Sequence, residues 1–228
     1  MIIKSSIAGI NTKFDTDNKH IIKNLDVFRH DFRGEPSISV KVNDLELRNY
    51  MEKYGGNDEN ADYRLTADSF FNALPEFDGF GIKAATVSIR SKNIVIAAAG
   101  EKAKLEYLNA LLSCGPAASL IDDAYSAIRK LEGKLYVFGT PWSSKVESNK
   151  KLELSAIVIP SDVTSIKKAE RKEILDRMLI CLTLPKRAEQ LPLVLANVDG
   201  IEADVPVLLV PENDPSSLYS YMEFGISG

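Results

Sequence analysis

Histidine, cysteine and tryptophan are nearly missing from this chain, which has two His, two Cys and one Trp in 228 residues. Both histidines, His20 and His30, lie near the start, where a surface or partner-contact role suits them better than catalysis. No Ser-His-Asp or Cys-His nucleophilic set can therefore be assembled in the later part of the chain. Cys114 and Cys181 sit apart among leucines and have no metal-ligand spacing, so they read as small buried apolar residues of a reducing compartment. An excess of basic charge is also missing. Lys and Arg number 28 against 32 Asp and Glu, a net charge of −4, which leaves no electrostatic footprint for nucleic acid or an anionic membrane. Lysines gather at Lys145–Lys151 and Lys167–Lys172, but acidic residues interleave them as on a solvated face. No apolar run approaches a signal peptide or a membrane span, which makes a cytoplasmic location the expectation. Repeats and low-complexity segments are absent.

What remains is ordinary for a globular protein: 45% hydrophobic and 26% charged residues, with length enough for a sizeable core. Residues 2–14 read as a strand around Ala8-Gly9, followed by a turn over 15–18. Ile21, Ile22, Leu25 and Phe28 have near-helical spacing. The stretch 37–42 alternates as a half-buried strand should, and 45–54 suits a helix ahead of the loop-like Gly55-Gly56. A boundary near residue 75 divides a small N-terminal α/β part (1–75) from a core (76–228). The core opens with strands at 82–89 and 94–97 about a turn at 90–93. A helix follows, with Leu105, Leu108, Leu111 and Leu112 on one face, and Gly115-Pro116 ends it. Further strands are expected at 152–159 and 205–210, a helix over 166–182, and a closing helix at 215–224 with Asp214 as its N-cap.

The stretch 119–145 is the richest in chemistry. Leu120-Ile121 runs into adjacent carboxylates, Asp122 and Asp123; a strand, a turn at Glu132-Gly133, a second strand and the corner Gly139-Thr140-Pro141-Trp142-Ser143 follow. In an open α/β sheet, ligands bind beyond the carboxyl ends of strands. A carboxylate pair there suits a Mg²⁺-nucleotide or a proton-abstracting base; equally, Asp-Asp can simply end a strand and start a turn. Trp142 is either a core plug or a surface for stacking an adenine.

Just upstream, 94–112 has the strand–loop–helix layout of a phosphate site. A working loop, G-x-x-x-x-G-K-[ST], wraps phosphates in backbone N–H groups, neutralises them with Lys and holds Mg²⁺ through a hydroxyl. Aligned without a gap, its four fixed positions fall on Ala97, Lys102, Ala103 and Lys104, and Gly100 is the glycine that remains. Glu101 in the first helical turn would take the place of a phosphate and repel one.

From about residue 80 to 215, the sequence resembles the HPr-kinase-like branch of the PEP-carboxykinase-like P-loop kinases. The resemblance is carried by Ile121-Asp122-Asp123, Ala127-Ile128-Arg129-Lys130, Gly139-Thr140-Pro141-Trp142-Ser143 and Val205-Pro206-Val207. It implies an α/β fold, a mixed sheet with flanking helices behind a small α/β N-terminal subdomain. It implies Asp122 and Asp123 as the metal-holding and acceptor-activating pair, in either order. Gly100, Lys102, Lys104, Thr140 and Trp142 would be the nucleotide positions, with Mg·ATP as cofactor if the protein is active. The chain departs from that pattern in its loop, in Lys83-Ala84 where the family carries His-Ala, and in Ser144 where it carries Gly. The expectation is thus a pseudokinase acting through contacts with a protein partner, with weak or no ATP binding. The alternatives are an active ATP-dependent serine or small-molecule kinase and a pure interaction module assembled as a homo-oligomer. Asp122 and Asp123 are expected within reach of the loop around Gly100, or paired with Lys102 or Lys104.

Overall fold

The structure is a computed structural model describing residues 1–98, 100–113, 118–144, 148–186 and 188–224, with side chains to Tyr221. Cys114 and the expected helix stop at Gly115-Pro116 lie outside the described residues.

The chain opens with two strands where the sequence suggested one. β1 (Ile2–Ile7) and β2 (Ile10–Asp15) form an antiparallel hairpin. Ala8 and Gly9 turn it with φ of 53° and 73°, the mirror-image turn whose twist matches that of paired strands. Asn18 caps α1 (Lys19–Asn24), and β3 (Ile38–Lys41) returns parallel to β2. Asn43 and Glu46 form a capping box at the start of α2 (Asp44–Tyr54). Gly55 and Gly56, both at positive φ, then separate α2 from the long α3 (Asp58–Ala73).

β4 (Gly79–Ile89) is the spine of the large sheet. It turns through Arg90-Ser91, at φ of 47° and 71°, into β5 (Lys92–Ala97) and then α4 (Glu101–Leu112). There follow β6 (Ala118–Asp122), β7 (Tyr125–Leu131), β8 (Lys134–Phe138), β9 (Lys151–Glu153) and β10 (Ala156–Ser161). The chain closes with β11 (Lys167–Lys168), α5 (Arg171–Cys181), α6 (Leu191–Val198), β12 (Val207–Pro211) and α7 (Pro215–Phe224). The helix expected from 166 starts later, because Lys167 and Lys168 pair with Leu209 and Leu208 at a sheet edge. α6 was not expected: two turns are too short to display a period.

The nine strands run β11-β12-β10-β5-β4-β7-β8-β9, with β6 also on β4. β5, β10 and β12 are mutually parallel and the other pairs antiparallel. The result is a mixed sheet with flanking helices. α5 and α6 bury Ile174, Met178 and Val194 against one face, and α4 and α7 bury Tyr107, Leu111 and Leu218 against the other. A third cluster joins β1–β3, α1 and α3 to Tyr125, Ala127, Phe138 and Trp142. No helix among the described residues is long and apolar enough to cross a membrane.

β6 and β7 lie end to end along β4. Thr86 pairs with Asp122, Ala84 N–H donates to Ala124 O, and Lys83 pairs with Tyr125. They are two halves of one course, broken where the adjacent carboxylates fall.

Candidate functional site

Asp122 is 0% exposed and Asp123 6%. At the break, Asp122 Oδ1 accepts from the backbone nitrogens of Ala124 (3.0 Å) and Tyr125 (3.1 Å), a side-chain turn that replaces the lost strand pairing. Its Oδ2 accepts from Thr140 N at 2.9 Å and lies 2.9 Å from Thr140 Oγ1. Asp123 Oδ1 accepts from Ser143 Oγ and Ser144 N, each at 2.7 Å, and its Oδ2 from Ser144 Oγ. Every carboxylate oxygen of the pair is therefore engaged by its own turn or by the corner at 139–144.

The corner is held from its other side as well. Gly139 admits no side chain, since a Cβ there would lie 2.1 Å from Ser148 O. Asn24 Nδ2 donates to Pro141 O at 2.8 Å. Trp142 packs within ring-centroid distances of 6.3, 5.4 and 5.3 Å of Phe14, Phe70 and Phe71. It is 1% exposed, so its ring is a core plug with no face open to an adenine. The corner thus fastens the N-terminal layer to the sheet, with the aspartates as its inner anchors.

Burial pushes the Asp122 carboxyl up to about 8, against the hydrogen bonds from Ala124 and Thr140, and Asp123 adds to the rise. Hydrogen accounting points the same way. The single hydroxyl proton of Thr140 faces two acceptors, Asp122 Oδ2 and, at 2.7 Å, Tyr125 O. A protonated Asp122 donates to Thr140 Oγ1, which donates on to Tyr125 O, so that both acceptors of this relay are satisfied. Tyr63 close by is held well above its ordinary range by burial and by the charges of Asp122 and Asp123.

The loop-bearing unit forms the expected strand–turn–helix over β5 and α4. Gly100 is the N-cap of α4 at φ −101°, with no neighbour within 4 Å of a Cβ built on it, so neither torsion nor space demands glycine. Lys104 Nζ lies 2.8 Å from Glu101 Oε1; its side chain is 3% exposed, that of Glu101 77%. Lys102 is 3.8 Å from Glu106. Both lysines pair along their own helix, not with Asp122 or Asp123. Ala97 stands level with Ala84, and Ala84 with Ala124, which puts β4 between the loop and the aspartates. Two strand spacings are about 10 Å.

Beyond Gly100 a cavity of about 330 Å³ opens at the carboxyl ends of β5, β10 and β12, where an open α/β sheet takes its ligands. Lys102 and Arg177 line it together with Glu106 and Glu212, while Asp122 and Asp123 do not. Arg177 is engaged by Asp162 at 2.6 Å. Among the described residues, no three His, Cys, Asp or Glu side chains converge as metal ligands. His20 packs beside Tyr63 and His30 beside Phe32 on the exposed surface of the N-terminal layer.

Sequence reasoning missed Ser143 and Ser144 as partners of Asp123. The signal was present, since three hydroxyls crowd T-P-W-S-S and a buried acid pair requires donors. Arg177 and Glu212 carried no local signal, being brought to the cavity from α5 and the end of β12.

No protein-family model matches the chain, and no curated protein does. Among solved structures, the Hpr(Ser) kinase/phosphatase from Coxiella burnetii is similar at 12% identity and a TM-score of 0.38, over 63% of this chain and 93% of that one.

Proposed function

We propose that this chain is a kinase-like scaffold of the HPr-kinase type that has lost phosphoryl transfer and acts through contacts with another protein, binding Mg·ATP weakly or not at all. The observation that carries the reading is that the chain's own side chains fill the positions such a site needs open. Asp122 and Asp123 are closed by Thr140, Ser143 and Ser144. Lys104 is buried against Glu101 in the first turn of α4. The residues present do not fit a Mg·ATP site of the kinase kind. Glu101 puts a negative charge in the first turn of α4, where a phosphate would have to approach, and the loop offers no hydroxyl for the metal. Charge-assisted contacts contribute about 1.5–3 kcal/mol each. At about 1.4 kcal/mol per decade, losing two or three takes a micromolar site to roughly millimolar or beyond.

The active-kinase reading is favoured by one observation, the cavity at the carboxyl ends of β5, β10 and β12 with Lys102 and Arg177 on its wall. Calorimetric titration of the unmodified protein with Mg·ATP separates the two. Absent or roughly millimolar binding supports the scaffold reading, and saturable micromolar binding replaces it with an atypical kinase.

A further inference from the structure

A second cavity, of about 310 Å³, lies on the other side of α5's carboxyl end. It arises from how β4 is covered. The amino half of β4 pairs with β7 along one edge, but β5 begins pairing on the other edge only at Ala84. Residues 182–183 cover that free edge: Leu182 bridges Ile82, and Thr183 N–H donates to Gly81 O at 2.9 Å. Gly81 permits this approach, since a Cβ there would come within 2.2 Å of Thr183 Oγ1 and 2.3 Å of Phe71. Pro185 then prevents the extended stub from growing, because it has no N–H to donate. Beside the stub is a groove lined by Leu179, Ile180, Leu182 and Leu184 and by polar side chains, Asp68, Lys83 and Lys186 among them.

Two features of the groove call for an occupant. Ile180 is 64% exposed and Leu184 50%, large apolar side chains flanking one cavity, and exposed apolar patches of this kind mark contact sites. In a chain of net charge −4, the groove's cations are Lys83 and Lys186, and among the described residues neither closes a salt bridge. One carboxyl shares the groove, that of Asp68, which burial raises against the pull of Lys186, Arg64 and Lys83.

We propose that this groove docks an extended acidic-and-apolar segment of a partner protein, whose apolar side chain fills the space between Leu179, Ile180 and Leu184 and whose carboxylate meets Lys83 and Lys186. Such segments bind through a strand-like backbone, with alternate side chains entering a pocket. Charge complementarity selects an acidic occupant. A second copy of this chain on a twofold axis would set lysines against lysines, since a twofold interface presents one patch to itself. A lipid surface is flat, whereas the groove is concave. The proposal holds whether or not nucleotide binds at the other cavity.

The test is fluorescence anisotropy without nucleotide, using short labelled peptides of alternating Leu and Glu and, as control, of alternating Leu and Lys. The Glu peptide should saturate and the Lys peptide should not. Leu184→Ser and the pair Lys83→Glu with Lys186→Glu, all exposed positions, should each weaken binding about tenfold or more with unchanged circular dichroism. Equal binding of both peptides, no binding of either, or indifference to the substitutions overturns the proposal. So does a Leu184→Ser change in sedimentation of the protein alone, which would mean self-association. Co-sedimentation with phosphatidylserine vesicles that those variants abolish overturns it too.

Discussion

Asp122 Oδ2 lies 2.9 Å from both the backbone nitrogen and the hydroxyl oxygen of Thr140, eighteen residues further along the chain. That contact makes Asp122 an inner anchor of the corner at 139–144, and its chemistry is measurable.

The folded-state pKa of Asp122, about 8, is above the ordinary aspartate value of 3.8. Between these values the unfolded chain has released a proton that the folded chain retains, so the Asp122 contribution to stability falls as pH rises. It is fully present below about pH 4 and lost on passing about pH 8. Urea unfolding at a series of pH values should show this decline in the native protein and a shallower one in Asp122→Asn. Parallel profiles for the two proteins would mean that Asp122 ionises normally.

Thr140→Val removes a hydroxyl bridging Asp122 and Tyr125 O while keeping the shape of the side chain. It should cost about 1–3 kcal/mol, the cost of leaving buried polar groups unpaired. Thr140→Ser should recover most of that in the same denaturation assay. Equal losses in the two would show that the methyl group, not the hydroxyl, matters.

Gly139 and Gly100 should respond oppositely to alanine. Gly139→Ala drives a Cβ into Ser148 O and should cost about 1–3 kcal/mol as overpacking. Gly100→Ala meets no atom and should cost under about 1 kcal/mol, the weaker N-cap being its only penalty. Thermal melts of both variants rank them directly, and a Gly100→Ala loss as large as that of Gly139→Ala would contradict the local geometry described here.

On α4, Glu101→Ala should destabilise more than Lys104→Met. The first leaves the buried ammonium of Lys104 unpaired, at a cost of about 1.5–3 kcal/mol for a lost charged hydrogen bond. The second exchanges it for an apolar chain of similar length in the same buried space and leaves the exposed Glu101 to solvent. The reverse order by chemical denaturation would mean that Lys104 has another essential partner.

Sequence alone determined the local course of the chain. Turn residues and periods of two or 3.6 depend on neighbours within a few positions, so β4, β5, α4 and α7 were legible, as was the end of a strand at Asp122. Where a helix and a strand compete for the same residues, locality was insufficient: Lys167 and Lys168 left the expected helix because β12 offered them partners. Tertiary structure alone decided which groups close the carboxylates. β6 and β7 lie end to end on β4, which puts Asp122 and Asp123 in the interior beside a corner that only long-range packing brings to them. It also buried Lys104 beside Glu101 and brought Lys83 and Lys186 to one groove with Asp68. Spacing fixes which face of an element a side chain occupies, but what meets that face depends on segments as far off as the 117 residues between Asn24 and Pro141, whose approach leaves no mark in a local pattern.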